Sequence, residues 1–137
     1  MRAQLLLIVT AFALICGAAV AQDAVSINDL KIRAEAGDRT ATRQIADAYY
    51  LGKGVEQDFK LAAQWYEKLA KQGDVRAQTS LGLIYARGYG VEKNMPLALK
   101  WLNLAAIQRD PGAQYSLSTL YFLGDGIPQN LPESARL

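Results

Sequence analysis

The sequence predicts an all-α fold of antiparallel helix pairs repeating every 36 residues, and three observations carry that expectation. First, "YLGKGVEQD" from Tyr50 returns as "ARGYGVEKN" from Ala86 and as "FLGDGIPQN" from Phe122. Second, apolar positions keep the same register: Ala41, Ala77 and Ala113; Ile45, Leu81 and Leu117; Tyr49, Tyr85 and Tyr121; Val55, Val91 and Ile127; Trp65 and Trp101. Third, each glycine pair separates two stretches whose apolar residues fall at helical spacing. Self-similarity at a fixed period of this length marks a chain that buries its core by stacking small units.

The chain begins with an element of a different kind. Met1 and Arg2 precede the uncharged run "LLLIVTAFALICGAAV", and Ala19 and Ala21 supply small residues before Gln22. This is the pattern of an export signal occupying residues 1–21 and cleaved after Ala21. The competing reading is an anchor, because the run approaches the ~20 apolar residues that span a bilayer. Bulky Ile15 before Cys16 argues against lipid modification, so Cys16 is expected to leave with the signal. The mature chain is then periplasmic or secreted and free of cysteine, and an oxidising compartment does not affect it.

Residues 22–40 read as a half-repeat that caps the stack, because "SINDLKIRAEAGD" aligns with "WYEKLAKQGD". Repeat 1 covers 41–76, repeat 2 covers 77–112, and repeat 3, incomplete, covers 113–137. In the first helix of repeat 1, Ala41, Ile45, Ala48 and Tyr49 share one side while Arg43, Asp47 and Tyr50 face the other. In the second, Leu61, Ala62, Trp65 and Leu69 form an apolar stripe. Asp38, Asp74 and Asp110 stand where first helices start, and Asp58, Asn94 and Asn130 where second helices start, as side chains able to cap free amides. Pro111, Pro96 and Pro132 suit the first turns that follow. Gly37 and Gly73 mark helix ends, and Arg109 breaks that pattern, so a looser third junction is expected. Repeat 3 closes on the seven residues "LPESARL", short of the ~12 to 15 that make an isolated helix marginal. Leu117, Leu120 and Tyr121 are therefore expected to be incompletely covered: either the frame natively continues and this chain is a truncated product, the favoured reading, or the end is covered by another copy or a partner, with self-association as one outcome.

The glycines are read as structural. Gly52, Gly88 and Gly124 sit just past first helices, where a left-handed backbone carries no Cβ penalty, and Gly54, Gly90 and Gly126 give each loop a second permissive point. A phosphate loop would need the glycines ahead of a helix, with Lys and Ser or Thr at set spacing. "GKGVEQD" has no such ending, and Lys53 becomes Tyr89 and Asp125 in the other copies.

"AQTSLGLIYARGYGV" in the second copy and "AAQWYEKLAKQGD" in the first resemble the Sel-one-like repeat (SLR) family, which is tetratricopeptide-like. The resemblance runs from about Asn28 onward; Ala46 and Ser118 replace the glycine found at Gly82. It implies a right-handed superhelix of antiparallel helix pairs that serves as a scaffold for protein partners. Some secreted relatives are described as binding or hydrolysing β-lactams, but those share a cysteine pair per repeat that this chain lacks.

Composition leaves little chemistry. The chain has no histidine, so imidazole catalysis and the usual zinc sites are absent. Its 15 Lys plus Arg against 13 Asp plus Glu give +2, falling to about +1 once Arg2 leaves with the signal, too little for a counterion-release field. Nucleic acid is not an expected partner, and the membrane is one only through an uncleaved signal. Asp38, Asp74 and Asp110 recur as caps rather than as a catalytic pair, and Ser80, Ser116 and Ser118 have no neighbouring base. No catalytic residue, cofactor or metal is expected. Trp65 and Trp101, like the repeating tyrosines, are expected in the core.

The positions that change from copy to copy lie on the outward side of the first helices: Arg43, Thr79 and Tyr115; Asp47, Leu83 and Thr119; Tyr50, Ala86 and Phe122; with Arg87 beside them. A solvated face would not carry Leu83, Tyr115 and Phe122. This side lines the concave groove in tetratricopeptide-like proteins, so one reading is a surface for a protein or peptide partner. Incidental exposure with residual packing is the other, and cell-wall glycan or muropeptide stacking on the aromatics is a third.

Overall fold

The computed structural model describes residues 25–124 and Arg136. The signal at 1–21 with Cys16, and Gly126, Ile127, Asn130, Pro132 and, Arg136 apart, the rest of the short third-repeat ending, lie outside the described residues. Among the described residues six helices follow one another: α1 (Ile27–Glu35), α2 (Arg39–Leu51), α3 (Phe59–Lys71), α4 (Val75–Arg87), α5 (Met95–Ile107) and α6 (Pro111–Leu123). Each packs on the next, and α4 also meets α6, so the pairs stack as an all-α solenoid.

Every one of these helices starts on a side-chain cap. Ser26 accepts from the Asn28 amide, Asp38 from Thr40 and Ala41, Asp58 from Leu61, Asp74 from Ala77, Asn94 from Leu97 and Asp110 from Ala113. Such caps satisfy amides that a first helical turn leaves without partners. At Asp38 the amide of Ala41, and then the Arg33 guanidinium, hold the carboxyl below its ordinary range.

The three first helices of the pairs end alike. Gly52, Gly88 and Gly124 take φ of 68°, 69° and 65°, and their amides return to Ala48, Ile84 and Leu120. The loops then close by the amide of Asp58 donating to the Tyr49 carbonyl and that of Asn94 to Tyr85, both at 2.9 Å. Val55 and Val91 pack against the core from these loops. Gly54 and Gly90 are also left-handed, but their surroundings differ. A Cβ on Gly54 would meet nothing within 4 Å, whereas on Gly90 it would lie 2.5 Å from the Lys60 backbone nitrogen and 2.8 Å from the Phe59 Cβ. Gly90 therefore brings the second loop onto the first turn of α3, a contact between units that the first loop does not make.

The junction at Arg109 is not looser. Arg109 takes φ of 64° and reproduces the left-handed turn of Gly37 and Gly73. Its amide reaches the Ala106 carbonyl at 2.9 Å and that of Asp110 reaches Ala105 at 3.2 Å, the pattern seen at Gly73 and Asp74 with Ala70 and Leu69. The geometry is kept at the cost of a strained non-glycine residue.

Ile45, Leu69, Leu81, Ile84, Leu102 and Leu117 are the largest fully buried side chains, and Trp65 and Trp101 join them in the core. Tyr49 is buried, while Tyr85 and Tyr121 are half-buried at the margin. Leu117 differs from expectation: it is fully buried, packed with Leu102, Ala105 and Ala113 of α5 and α6. Packing from α5 is enough to bury it. Leu120 and Tyr121 remain half-buried.

Candidate partner-binding face

The face in question is built from α2, α4 and α6, the first helices of successive pairs. Two grooves lie on it. One, of about 300 Å³, runs between α2 and α4 and is lined by Arg43, Asp47, Tyr50, Leu51, Tyr66, Arg76, Ala77 and Ser80. The other, of about 210 Å³, runs between α4 and α6, with Leu83, Ala86, Arg87, Tyr115, Thr119 and Leu123 among its walls. The N-terminal half of α4 thus borders a polar groove and its C-terminal half an apolar one.

Interactions between units fix the walls. Arg43 on α2 forms an ion pair with Asp74, the cap of α4, whose side chain is only 5% exposed. Arg39 Nη2 stands 3.8 Å from the same carboxylate. One repeat later Thr79 Oγ1 donates to Asp110, the cap of α6, at 2.9 Å. One repeat earlier Arg33 on α1 holds Asp38 at 2.6 Å. The aspartates that cap α2, α4 and α6 are therefore each held by a side chain of an earlier helix, and Arg43 and Thr79 carry a structural task besides facing outward. The Arg43 Nε is buried without a hydrogen-bond partner among the described residues.

Below the polar groove the buried Tyr66 phenol donates to Asp47 at 2.6 Å. Burial first, and the adjoining Asp47 second, push its pKa well above the ordinary phenol value. Tyr66 also meets Tyr50 edge to face at 6.2 Å, Tyr50 meets Phe59 at 5.3 Å, and Phe59 stacks on Tyr89 at 5.0 Å. This aromatic chain links groove to loop, and Arg87 lies over its last ring at 5.7 Å. Edge contacts of this kind hold rings in place.

Of the residues singled out in the sequence, Arg43, Asp47 and Tyr50 meet in the first groove and Leu83, Arg87, Tyr115 and Thr119 in the second. Ala86 lines the second groove but is itself buried. Thr79 and Phe122 lie outside both linings, Thr79 engaged by Asp110 and Phe122 exposed. Sequence reasoning missed Tyr66 and Arg76. Their counterparts one repeat away are Leu102 for Tyr66, and Thr40 and Gly112 for Arg76, so variation between copies was the available signal. No cluster of metal-ligating side chains exists among the described residues, and no helix among them is long and apolar enough to cross a membrane.

The sequence profile of the Sel1 repeat matches residues 40–74, 75–110 and 111–137. This chain belongs to the Sel1 repeat family. Among solved structures, a protective antigen present in uropathogenic Escherichia coli strains and displaying an SLR fold is 34% identical with a TM-score of 0.71, over 79% of this chain and 23% of that one. A Sel1 repeat protein from Oxalobacter formigenes is 38% identical with a TM-score of 0.65, over 72% of this chain and 41% of that one. The cysteine-rich protein B of Helicobacter pylori is 30% identical with a TM-score of 0.57, over 64% and 65%. The chain thus spans less than two thirds of each of these Sel1 repeat structures. None of the curated proteins matches it. Sel1 repeat proteins commonly act as protein–protein interaction scaffolds and are typically not enzymes.

Proposed function

We propose that this Sel1 repeat chain is an exported scaffold that holds a protein or peptide partner along the face formed by α2, α4 and α6. The observation that carries the reading is the lining of the two grooves. Positions that differ from repeat to repeat converge there, while the positions that repeat faithfully form caps, turns and core. Tyr115 is 75% exposed beside Leu83 and Leu123, an aromatic anchor of the kind in which interface energy concentrates. Export rests on the amino-terminal run and the small residues before Gln22.

The test is crosslinking capture from intact cells followed by fractionation, with Leu83→Asp and Tyr115→Ala variants beside the parent chain. Loss of one crosslinked protein species in both variants, with melting temperature unchanged, supports the reading. Retained capture in both places the partner elsewhere, and recovery with peptidoglycan in place of protein favours a glycan ligand.

A further inference from the structure

The two grooves differ in chemistry, and that difference specifies a ligand. In the polar groove and beneath it, the carboxylates already have partners: Asp74 is taken by Arg43 with Arg39 nearby, and Asp47 accepts a hydrogen bond from the Tyr66 phenol. Asp74 is moreover buried, so its charge is not presented to the groove. Arg76 lies on the same wall, is exposed, and has no ion-pair partner among the described residues. Arg76 is thus a groove-lining guanidinium with no carboxylate on it among the described residues, a planar fork suited to a carboxylate. The apolar groove offers Leu83, Ala86, Leu120 and Leu123, with Tyr115 at its edge.

Both grooves share α4, which fixes their spacing. From Arg76 to Leu83 the helix rises about 10 Å at 1.5 Å per residue. An extended peptide covers that distance in about three residues. We infer that the face takes an extended peptide segment in which an Asp or Glu side chain meets Arg76 and an aliphatic or aromatic side chain two or four residues away, on the same face of the strand, enters the groove beside Leu83. This rests on the peptide-partner reading above and narrows it to one chemistry.

The experiment uses a bead library of random hexapeptides, acetylated and amidated so that no terminal charge contributes, probed with the folded chain and with Arg76→Glu and Leu83→Asp. Circular dichroism confirms that the variants fold. The parent chain is expected to retain peptides enriched in Asp or Glu two or four positions from Leu, Ile or Phe. Changing that acid to its amide should weaken binding about tenfold, the scale of a charge-assisted hydrogen bond. Arg76→Glu should reverse the preference toward Lys or Arg, and Leu83→Asp should remove the apolar requirement. Retention of apolar peptides without acidic enrichment, unchanged in Arg76→Glu, overturns the inference and leaves the peptide-scaffold reading standing. No retained peptides at all overturns the inference, and the crosslinking capture above decides the scaffold reading separately. Displacement of the peptides by millimolar acetate or phosphate alone would show a simple anion site, and the peptide assignment falls.

Discussion

The phenol of Tyr66 on α3 donates a 2.6 Å hydrogen bond to the carboxylate of Asp47 on α2, joining the two helices of one pair beneath the polar groove. Because Tyr66 is buried and faces an anion, its ionised form is disfavoured in the folded state. An unfolded tyrosine titrates near pH ~10. Above that pH the folded chain holds a proton that the unfolded chain has lost, so stability is complete below pH ~10 and declines as pH rises beyond it. Tyr66→Phe should cost about 1 kcal/mol at neutral pH, where Asp47 can be resolvated. Urea melts from pH 8 to 11.5 should show a shallower decline in Tyr66→Phe than in the parent. An identical pH slope in both would remove Tyr66 from the account.

Two glycines at equivalent places should respond differently to alanine. Gly54→Ala meets open space and bears only the left-handed strain, about 1 kcal/mol. Gly90→Ala meets the backbone of Lys60 as well, so its loop must lift from α3, and a loss above about 2 kcal/mol is expected. Thermal melts of the two variants decide it. Equal losses would mean that the loop contact contributes nothing.

Arg109→Gly is expected to stabilise the chain. Its left-handed backbone costs a side-chain-bearing residue about 1–2 kcal/mol, partly offset by the greater freedom of glycine in the unfolded chain. A net gain of about 0.5–1 kcal/mol should raise the melting midpoint by a few degrees. A lowered midpoint would show that the Arg109 side chain contributes more than the strain removes.

The elements that follow from local chemistry were legible in the sequence: the caps at Asp38, Asp58, Asp74, Asn94 and Asp110, the glycine stops, and the core tryptophans. Each depends on a residue and its near neighbours. What escaped depends on contacts between units. Aligning Gly54 with Gly90 shows two identical residues, yet only Gly90 has α3 behind it. Aligning Arg43 with Thr79 shows two unlike residues, yet both clamp the cap of the next unit. Arg109 looked like a break because its sequence identity changed, whereas the hydrogen bonds on either side impose the turn. The grooves were partly legible, since Arg43, Asp47 and Leu83 vary on an outward face. Tyr66 was not, because it comes from a second helix and reaches the groove from below.

The shared clamp can be tested by exchanging one solution for the other. Arg43→Ala would leave the buried Asp74 with its cap bond to Ala77 and only the distant Arg39, at 3.8 Å, to offset its charge. Removing one partner of a buried pair costs about 3–5 kcal/mol. Arg43 is itself 40% exposed and Asp74 keeps its amide donor, so a loss of about 1–3 kcal/mol is expected here. Arg43→Thr places at this position the residue that holds Asp110 one repeat later, with a neutral hydroxyl that can donate. It should recover about 1 kcal/mol of that loss, the ordinary worth of a hydrogen bond. Thr79→Ala should cost about 1 kcal/mol in turn. Chemical denaturation of the three variants gives the ordering: Arg43→Ala weakest, with Arg43→Thr and Thr79→Ala closer to the parent. If Arg43→Thr is no more stable than Arg43→Ala, charge and not the donated proton holds Asp74, and the two clamps are not equivalent.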